Sequence, residues 1–192
     1  MARNWFRLRE GSSKDLPALT RVDGSFSNEW LLYLQRRGGP IEQTLELRWR
    51  KVRPAGSRRS FEVDVVTLRS DLQRSERLIA AEADRRVVGY LMLATNWNRT
   101  AELVAIIVDA AYRRRGLGRR FVQEAEAYAR KRSLRALQWE AQTDNRDAIE
   151  FAVSQGFRVA AVHDALYHNR GYERQLAPDF RGPAVLLTKE LD

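Results

Sequence analysis

The chain has 192 residues, of which 44% are hydrophobic and 31% are charged, and its formal net charge is +9. This balance excludes a disordered polymer and supplies enough apolar material for a compact core beneath a highly charged surface. The absence of cysteine excludes disulfides, thiolate metal ligands and cysteine nucleophiles. The excess of positive charge favours acidic partners such as phosphates, nucleic acid or an anionic membrane surface, without choosing among them.

Neither a metal site nor a membrane segment is expected. His163 and His168 are the only histidines, and no HExxH pattern surrounds them, so the spacing does not predict zinc. No apolar run approaches the ~18 residues of a membrane span, and MARNWFRLRE at the start lacks the apolar part of a secretion signal. A soluble cytoplasmic protein is the simplest expectation.

The N-terminal part predicts a strand hairpin. WFRLR alternates apolar and charged residues like a short strand, and Asp15 is placed to cap a brief helix over LPALTRV. Residues 28–35 and 45–52 predict two strands on either side of GGP, because LELRWRKV alternates with period two. The segment RPAGSRRS, residues 53–60, is predicted to be an exposed loop.

From residue 77 the pattern becomes regular. RLIAAEA, a turn at DRR and VVGYLMLAT predict a β-hairpin, and ELVAIIV is apolar enough for a central strand. The next segment, RRFVQEAEAYARKR, predicts an amphipathic helix. Its apolar stripe consists of Leu117, Phe121, Ala125, Tyr128 and Ala129.

A second strand and helix follow. SLRALQWEAQ predicts a strand, and DNRDAIEFAVSQGF predicts a helix that Asp144 or Asn145 caps and Gly156 ends. The order strand, helix, strand, helix predicts a parallel strand pair with a right-handed crossover at the centre of the sheet.

The segment YRRRGLGRR, residues 112–120, joins the strand ELVAIIV to the first of these helices. The unpaired N–H groups and the macrodipole of a helix N-terminus favour an anion, and Gly116 and Gly118 let the backbone approach it closely. The surrounding arginines add bidentate phosphate contacts. Because neither a complete GxGxxG nor a GxxxxGK[ST] motif is present, a diphosphate fits better than a dinucleotide or a triphosphate. A solvated basic turn and a nucleic-acid contact remain open on these residues alone.

Two motifs together carry a family resemblance. V-D-x-x-Y-R-R-R-G-L-G-R-R is followed about thirty residues later by N-x-x-A-I-x-F-x-x-x-x-G-F. The pair resembles the acyl-CoA signature of the GNAT superfamily of N-acetyltransferases, whose [QR]-x-x-G-x-[GA] loop matches at Arg113, Gly116 and Gly118. NWNRTAELVAIIVD, WEAQTDN and DALYHN are similar to the streptothricin acetyltransferase branch of that family.

The resemblance implies an α/β (α+β) fold, with a mixed, mostly antiparallel sheet, a central splayed parallel strand pair and flanking helices. It implies one acetyltransferase domain over residues 1–192, with a variable N-terminal part (1–75), an acyl-CoA-binding core (76–170) and a C-terminal strand region (171–192). Acetyl-CoA is the implied cofactor, and its pantetheine arm would enter the gap between the splayed strands. The implied cofactor-binding residues are Ile106, Ile107, Val108, Arg113, Arg114, Arg115, Gly116, Leu117, Gly118, Arg119, Asn145 and Phe151.

The acid that protonates the leaving thiolate differs from the family pattern. The family supplies it as a tyrosine directly after the position of Phe151, where this chain has Ala152. Tyr167 is the first candidate to replace it, because it resembles a retained tyrosine of the streptothricin branch, and Tyr112 is the second. The thiolate can also leave unassisted, since a thiol of ordinary pKa is a good leaving group.

For the general base, Glu140 is the first candidate, because it ends an apolar strand beside the expected splay and resembles a glutamate of the streptothricin branch. Glu102 on the neighbouring strand is the second. Either carboxylate would accept the ammonium proton, directly or through a water.

The predicted function is transfer of an acetyl group to a primary amine of a small molecule, by a monomer or homodimer with no nucleic-acid or membrane partner. Relatives that acetylate streptothricin carry an acidic pair before the loop, where this chain has Val104 and Ala105, so streptothricin is expected to be a poor substrate. Two alternatives remain open. One is a catalytically impaired acyl-CoA-binding protein, suggested by Ala152. The other is a nucleic-acid-binding module that uses the loop and arginines 36, 37, 48, 50, 53, 58 and 59.

Overall fold

The structure, a computed structural model, describes residues 5–61, 63–164, 166 and 183–191. Within them lie four α-helices, namely α1 (Leu16–Leu19), α2 (Val65–Arg74), α3 (Leu117–Lys131) and α4 (Arg146–Ser154). The strands are β1 (Arg7–Glu10), β2 (Phe26–Ser27), β3 (Trp30–Gly38), β4 (Gln43–Lys51), β5 (Arg58–Arg59), β6 (Arg77–Ala83), β7 (Arg86–Thr95), β8 (Thr100–Val108), β9 (Ala136–Gln142), β10 (Arg158–His163) and β11 (Ala184–Glu190).

Seven strands form the main sheet, in the order β1-β6-β7-β8-β9-β11-β10. Every neighbouring pair is antiparallel except β8 and β9, which are parallel and occupy the fourth and fifth positions. Helix α3 makes the crossover between them, because a parallel connection needs a long return path. The predicted mixed sheet with a central parallel pair is confirmed.

The parallel pair separates towards its carboxyl ends. β8 and β9 are in register only from Thr100 opposite Ala136 to Leu103 opposite Trp139. Beyond that point β8 stays paired with β7 as far as Val108, and β9 stays paired with β11 to its end. The two strands therefore follow their outer neighbours and open a gap, which is the predicted splay.

Two hydrophobic clusters cover the two faces of the sheet. The stripe predicted for α3 is fully buried, and it packs in the larger cluster with residues such as Leu91 and Leu93 of β7. On the opposite face, Leu19 of α1 and Leu68 of α2 pack with Tyr90 of β7. The helices thus cover the sheet on both faces and leave the splayed end of β8 and β9 as the place where a ligand can enter.

Two small sheets lie outside the main one. β3 and β4 form the predicted hairpin, in register from Trp30 opposite Lys51, and the amide of Leu32 donates to the carbonyl of Thr143 at 2.8 Å. The prediction that residues 53–60 form only an exposed loop is wrong, because Arg58 and Arg59 pair with β2 as the short strand β5. A strand of two residues leaves no periodic pattern in the sequence.

Two local details also differ from expectation. Asp15 does not cap α1 with its side chain, because its carboxylate accepts the amide of Ser12 at 2.8 Å and binds Arg9. Helix α2 was not predicted, since its first residues, Val65 and Val66, favour strands. Asp64 begins it by accepting the amide of Thr67 at 2.9 Å. No helix in the described part of the chain has the length and apolar composition to cross a membrane.

Candidate active site

A cavity of about 490 Å³ lies at the splayed ends of β8 and β9. Its walls include the last three residues of β8, Trp139 of β9, the arginine-rich loop, the first turn of α3 and one side of α4. All of the residues predicted to bind the cofactor line this cavity except Arg115. The structure therefore brings together positions that lie up to 45 residues apart, from Ile106 to Phe151.

The loop after β8 exposes the N-terminus of α3 to the cavity. Gly116 is the residue before the helix and has a φ of +88°, a left-handed conformation that favours glycine. A Cβ atom added to Gly116 would meet no described heavy atom within 4 Å, so the space beside the helix end is open. Gly118 serves a different purpose, since a Cβ atom there would lie 3.0 Å from the ring of Phe151. The first glycine leaves the space beside the helix end open, and the second allows α3 and α4 to approach.

Arg113 ties the loop to its surroundings. Its Nε donates to the carbonyl of Val108 at 3.0 Å, and its Nη1 donates to the carbonyl of Ser25 at 2.6 Å. Burial lowers the pKa of Arg113. The guanidinium therefore joins the end of β8 to the segment before β2, in addition to lining the cavity.

Arg115 points away from the cavity. Its guanidinium carbon lies 5.6 Å from the ring centre of Trp5 and 5.3 Å from that of Tyr112. These distances are within the range of cation–π attraction. Its side chain therefore packs on aromatic rings outside the cavity lining.

Asn145 caps α4 at the edge of the cavity. Its Oδ1 accepts the amide of Ala148 at 3.1 Å, and the residue also lines the cavity. Both roles considered for Asn145 from the sequence are therefore compatible with its position.

Replacing Asn145 with alanine should separate these two roles. Loss of the cap is expected to lower the free energy of unfolding by ~1 kcal/mol and, if Asn145 also contacts the cofactor, to raise the Kd for acetyl-CoA. The matched control is Asp64→Ala, which removes the equivalent cap of α2 away from the cavity. Urea denaturation of both variants measures the free energy of unfolding, and calorimetry measures the Kd for acetyl-CoA. Equal Kd values for the two would limit Asn145 to its capping role.

The two candidate bases lie on the face of the sheet opposite Trp139. Glu140 pairs with Leu186 of β11 and is half-buried, and β9 continues past it to Gln142, where the predicted strand SLRALQWEAQ ends. Glu102 accepts a hydrogen bond from Nη1 of Arg74 at 2.7 Å. Neither carboxylate is among the residues that line the cavity.

A third carboxylate joins Glu102 through the same arginine. Nε of Arg74 donates to Asp71 at 3.2 Å, so one guanidinium of α2 binds both acidic side chains. Burial raises the pKa of Asp71, and the nearby charge of Glu102 acts in the same direction. Glu102 is therefore part of an ion-pair network with Arg74 and Asp71.

Of the two tyrosines considered as the acid, the structure describes only Tyr112. Tyr167 lies outside the described residues. Tyr112 lines the cavity, but its hydroxyl donates to Asp84 at 2.7 Å. Ala152, at the position of the family tyrosine, is fully buried in the larger core cluster.

The sequence matches a protein family over the part of the chain that builds this cavity. Residues 41–157 match the model described as the acetyltransferase (GNAT) family. The chain belongs to the GNAT acetyltransferase family. This membership confirms the family predicted from the two motifs, and with it the class of acetyl-CoA-dependent N-acetyltransferases.

Individual relatives of this GNAT acetyltransferase include antibiotic acetyltransferases. It is 26% identical to streptothricin acetyltransferase of Escherichia coli over 129 residues. The aligned region covers 67% of this chain and 70% of that protein. It is 33% identical to an uncharacterised N-acetyltransferase of Methanocaldococcus jannaschii over 87 residues. That aligned region covers 42% of this chain and 38% of the archaeal protein. The chain thus matches well under half of the archaeal relative's length.

Solved structures agree with the fold. Nourseothricin acetyltransferase superposes with a TM-score of 0.77 at 23% identity, covering 98% of this chain and 100% of that one. A Bacillus anthracis protein described as a streptothricin acetyltransferase, solved in complex with acetyl coenzyme A, has a TM-score of 0.71 at 20% identity and covers 97% and 98%. At these identities the likeness shows the GNAT fold.

One wall of the acetyltransferase cavity was missed by sequence reasoning. Three of its lining residues are Gly24, which precedes β2, Phe26, which lies in β2, and Phe61, which follows β5. This wall is held by a buried ion pair, in which Nη1 of Arg59 lies 2.5 Å from Oδ2 of Asp144. Burial raises the pKa of Asp144. The basic and acidic partners are far apart in the chain, so no local signal could have paired them.

Proposed function

We propose that the chain transfers an acetyl group from acetyl-CoA to a primary amine of a small molecule, by direct attack of the amine on the thioester. One observation carries this proposal. The gap between the splayed strands and the open N-terminus of α3 at Gly116 belong to a single cavity. A ligand with a polar arm and a diphosphate can therefore bind to both at once.

The strand and the helix end suit different parts of acetyl-CoA. Ile106, Ile107 and Val108 lie beyond the last described β9 partner of β8. Their main-chain groups that face the gap, apart from the Val108 carbonyl that Arg113 binds, suit the amides of the pantetheine arm. The amides from Arg114 to Arg119 suit the diphosphate, because the helix N-terminus carries partial positive charge. Arg114 and Arg119 line the cavity and add their own charges.

The chemistry needs a base for the ammonium group and a proton for the departing thiolate. We assign the first role to Glu140 because of its position in the sheet. Glu140 lies on β9 directly after Trp139, the last residue in register with β8, and so at the point where the strands part. Tyr167 remains the proposed proton donor.

Calorimetry with acetyl-CoA, followed by a single-turnover assay over a panel of primary amines, tests the proposal. Saturable binding and transfer to at least one amine are expected. Binding without transfer to any amine would support the alternative of an impaired acyl-CoA-binding protein. Failure to bind acetyl-CoA would overturn the proposal.

The nucleic-acid alternative is weakened by what three of its proposed arginines contact. Arg36 pairs with Asp164, and Arg59 with buried Asp144. The guanidinium of Arg50 lies 4.2 Å from the ring centre of Tyr33. DNA affinity measured across a salt series distinguishes the two functions, since a steep slope without any acetyl-CoA response would favour the rival.

We expect streptothricin to be a poorer substrate than a less charged amine. Val104 and Ala105 occupy the half-buried positions on β8 where relatives carry the acidic pair. Each lost charge-assisted contact is worth ~1–3 kcal/mol, so two of them lower the affinity for a polycationic amine substantially. The measurement is kcat/KM for streptothricin against a series of monoamines. Equal values would show that other residues bind the polycation.

A further inference from the structure

The N-terminal residue Trp5 contacts the loop that forms the proposed diphosphate site. Its indole Nε1 donates a hydrogen bond to the carbonyl of Arg115 at 2.8 Å, across 110 positions of the chain. We propose that Trp5 is a positioning residue that sets the direction of the Gly116 amide for binding the diphosphate of acetyl-CoA. This inference rests on the proposed function.

The argument follows from the planarity of the peptide bond. The carbonyl of Arg115 and the N–H of Gly116 belong to one rigid trans peptide, in which the two groups point in opposite directions. Gly116 lines the cavity, whereas Trp5 is not among its lining residues. A bond that holds the carbonyl on Trp5 therefore holds the N–H of Gly116 towards the cavity.

Such an external restraint is needed at this peptide. Gly116 has a positive φ and Arg114 has one as well, at +62°, so the peptides between them lie outside regular structure. Glycine populates both signs of φ about equally and does not fix its own conformation. Without the bond to Trp5, the peptide between Arg115 and Gly116 could turn about its two flanking bonds and remove the N–H from the anion.

The indole itself is held by a stack of aromatic and cationic groups. Its ring lies 5.5 Å from that of Tyr112, at an interplanar angle of 21°, and edge-on to that of Phe6 at 4.9 Å. The guanidinium of Arg86 lies 4.9 Å from the ring centre of Tyr112. The hydroxyl of Tyr112 donates to Asp84 in the turn between β6 and β7. Trp5 is therefore fixed to the main sheet, and through it the loop is fixed as well.

The stack also explains why Arg115 does not line the cavity. Its guanidinium contacts Trp5 and Tyr112, so its charge stabilises the rings that hold its own carbonyl. In a segment with five arginines, this one acts on the shape of the loop and not on the ligand directly.

The test is Trp5→Phe, which keeps an aromatic ring in the stack but removes the N–H donor. We expect the KM and Kd for acetyl-CoA to rise about five-fold, as for the loss of one hydrogen bond, with kcat unchanged at saturating acetyl-CoA. Binding of acetylated pantetheine, which lacks the diphosphate, should stay the same. A merely structural defect would weaken both ligands alike, and that result would overturn the inference.

Trp97→Phe is the matched control. It makes the same chemical change at a residue that is 97% exposed. It should leave both affinities unaltered. If wild-type protein binds acetyl-CoA and Trp5→Phe binds it equally well, the inference fails while the proposed function stands. If wild-type protein does not bind acetyl-CoA, the proposed function itself fails.

A measurement on the unaltered protein covers the case in which Trp5→Phe does not fold. In NMR titrations of wild-type protein, the Gly116 amide resonance should shift on addition of acetyl-CoA and not on addition of acetylated pantetheine. The indole N–H of Trp5 should stay protected from exchange in both titrations. The inference would be overturned if acetyl-CoA left the Gly116 amide resonance unshifted, or if the Trp5 indole N–H exchanged rapidly.

Discussion

Replacement of Gly116 with arginine is expected to abolish acetyl-CoA binding while the chain still folds. The new side chain would begin in the open space at the N-terminus of α3 and extend into the volume proposed for the diphosphate. The left-handed φ of +88° adds about 1–2 kcal/mol of backbone strain for a residue with a Cβ atom. The measurement is the Kd for acetyl-CoA by calorimetry, together with the free energy of unfolding in urea.

Gly56→Arg is a close control for this variant. Gly56 has a φ of +84°, and a Cβ atom there would also meet no described heavy atom within 4 Å. It lies between β4 and β5 and is not among the residues that line the cavity. Both variants should lose similar stability, but only Gly116→Arg should lose acetyl-CoA. Unchanged affinity in Gly116→Arg would contradict the assignment of the diphosphate site.

Replacement of Asp144 with alanine is expected to lower the free energy of unfolding by about 3–5 kcal/mol. The carboxylate is 1% exposed and the side chain of Arg59 is 11% exposed, so the variant would remove a carboxylate that a buried guanidinium binds. The guanidinium of Arg59 also lies 5.7 Å from the ring centre of Phe26, which lines the cavity. We therefore expect the KM for acetyl-CoA to rise as well. Urea denaturation and steady-state kinetics give the two quantities.

Two further variants show whether burial is the reason for this cost. Glu190→Ala breaks the pair with Arg158, which is 2.8 Å long but has both side chains well exposed, and it should cost at most about 1 kcal/mol. The double variant Arg59→Met/Asp144→Leu removes both buried charges and should recover most of the lost stability. A cost as small for Asp144→Ala as for Glu190→Ala would mean that the pair does not hold the β2–β5 wall.

Local patterns were enough to predict much of the fold. The stripe of α3 is visible because a helix repeats every 3.6 residues, and the alternation in β4 is visible because a strand repeats every two. The helix α2 escaped prediction, because Val65 and Val66 at its start favour a strand and only its packing on β7 and α1 decides for a helix.

The cofactor part of the candidate site was equally local. Gly116, Gly118 and the arginines lie within one short loop, and their position between a strand and a helix can be read from neighbouring residues. The candidate base is a harder case, since the availability of Glu102 depends on Arg74, a residue on another element.

By itself the sequence determined the order of the elements from β6 to α4, the family, and the loop that suits a diphosphate, because each depends on residues that are close together in the chain. Only the tertiary structure decided which side chains complete the site. The splay of β8 and β9 results from each strand following its outer neighbour. The pair of Arg59 with Asp144 and the bond from Trp5 to Arg115 join residues 85 and 110 positions apart. No periodicity encodes such contacts, because they form only when the folded sheet brings distant segments together.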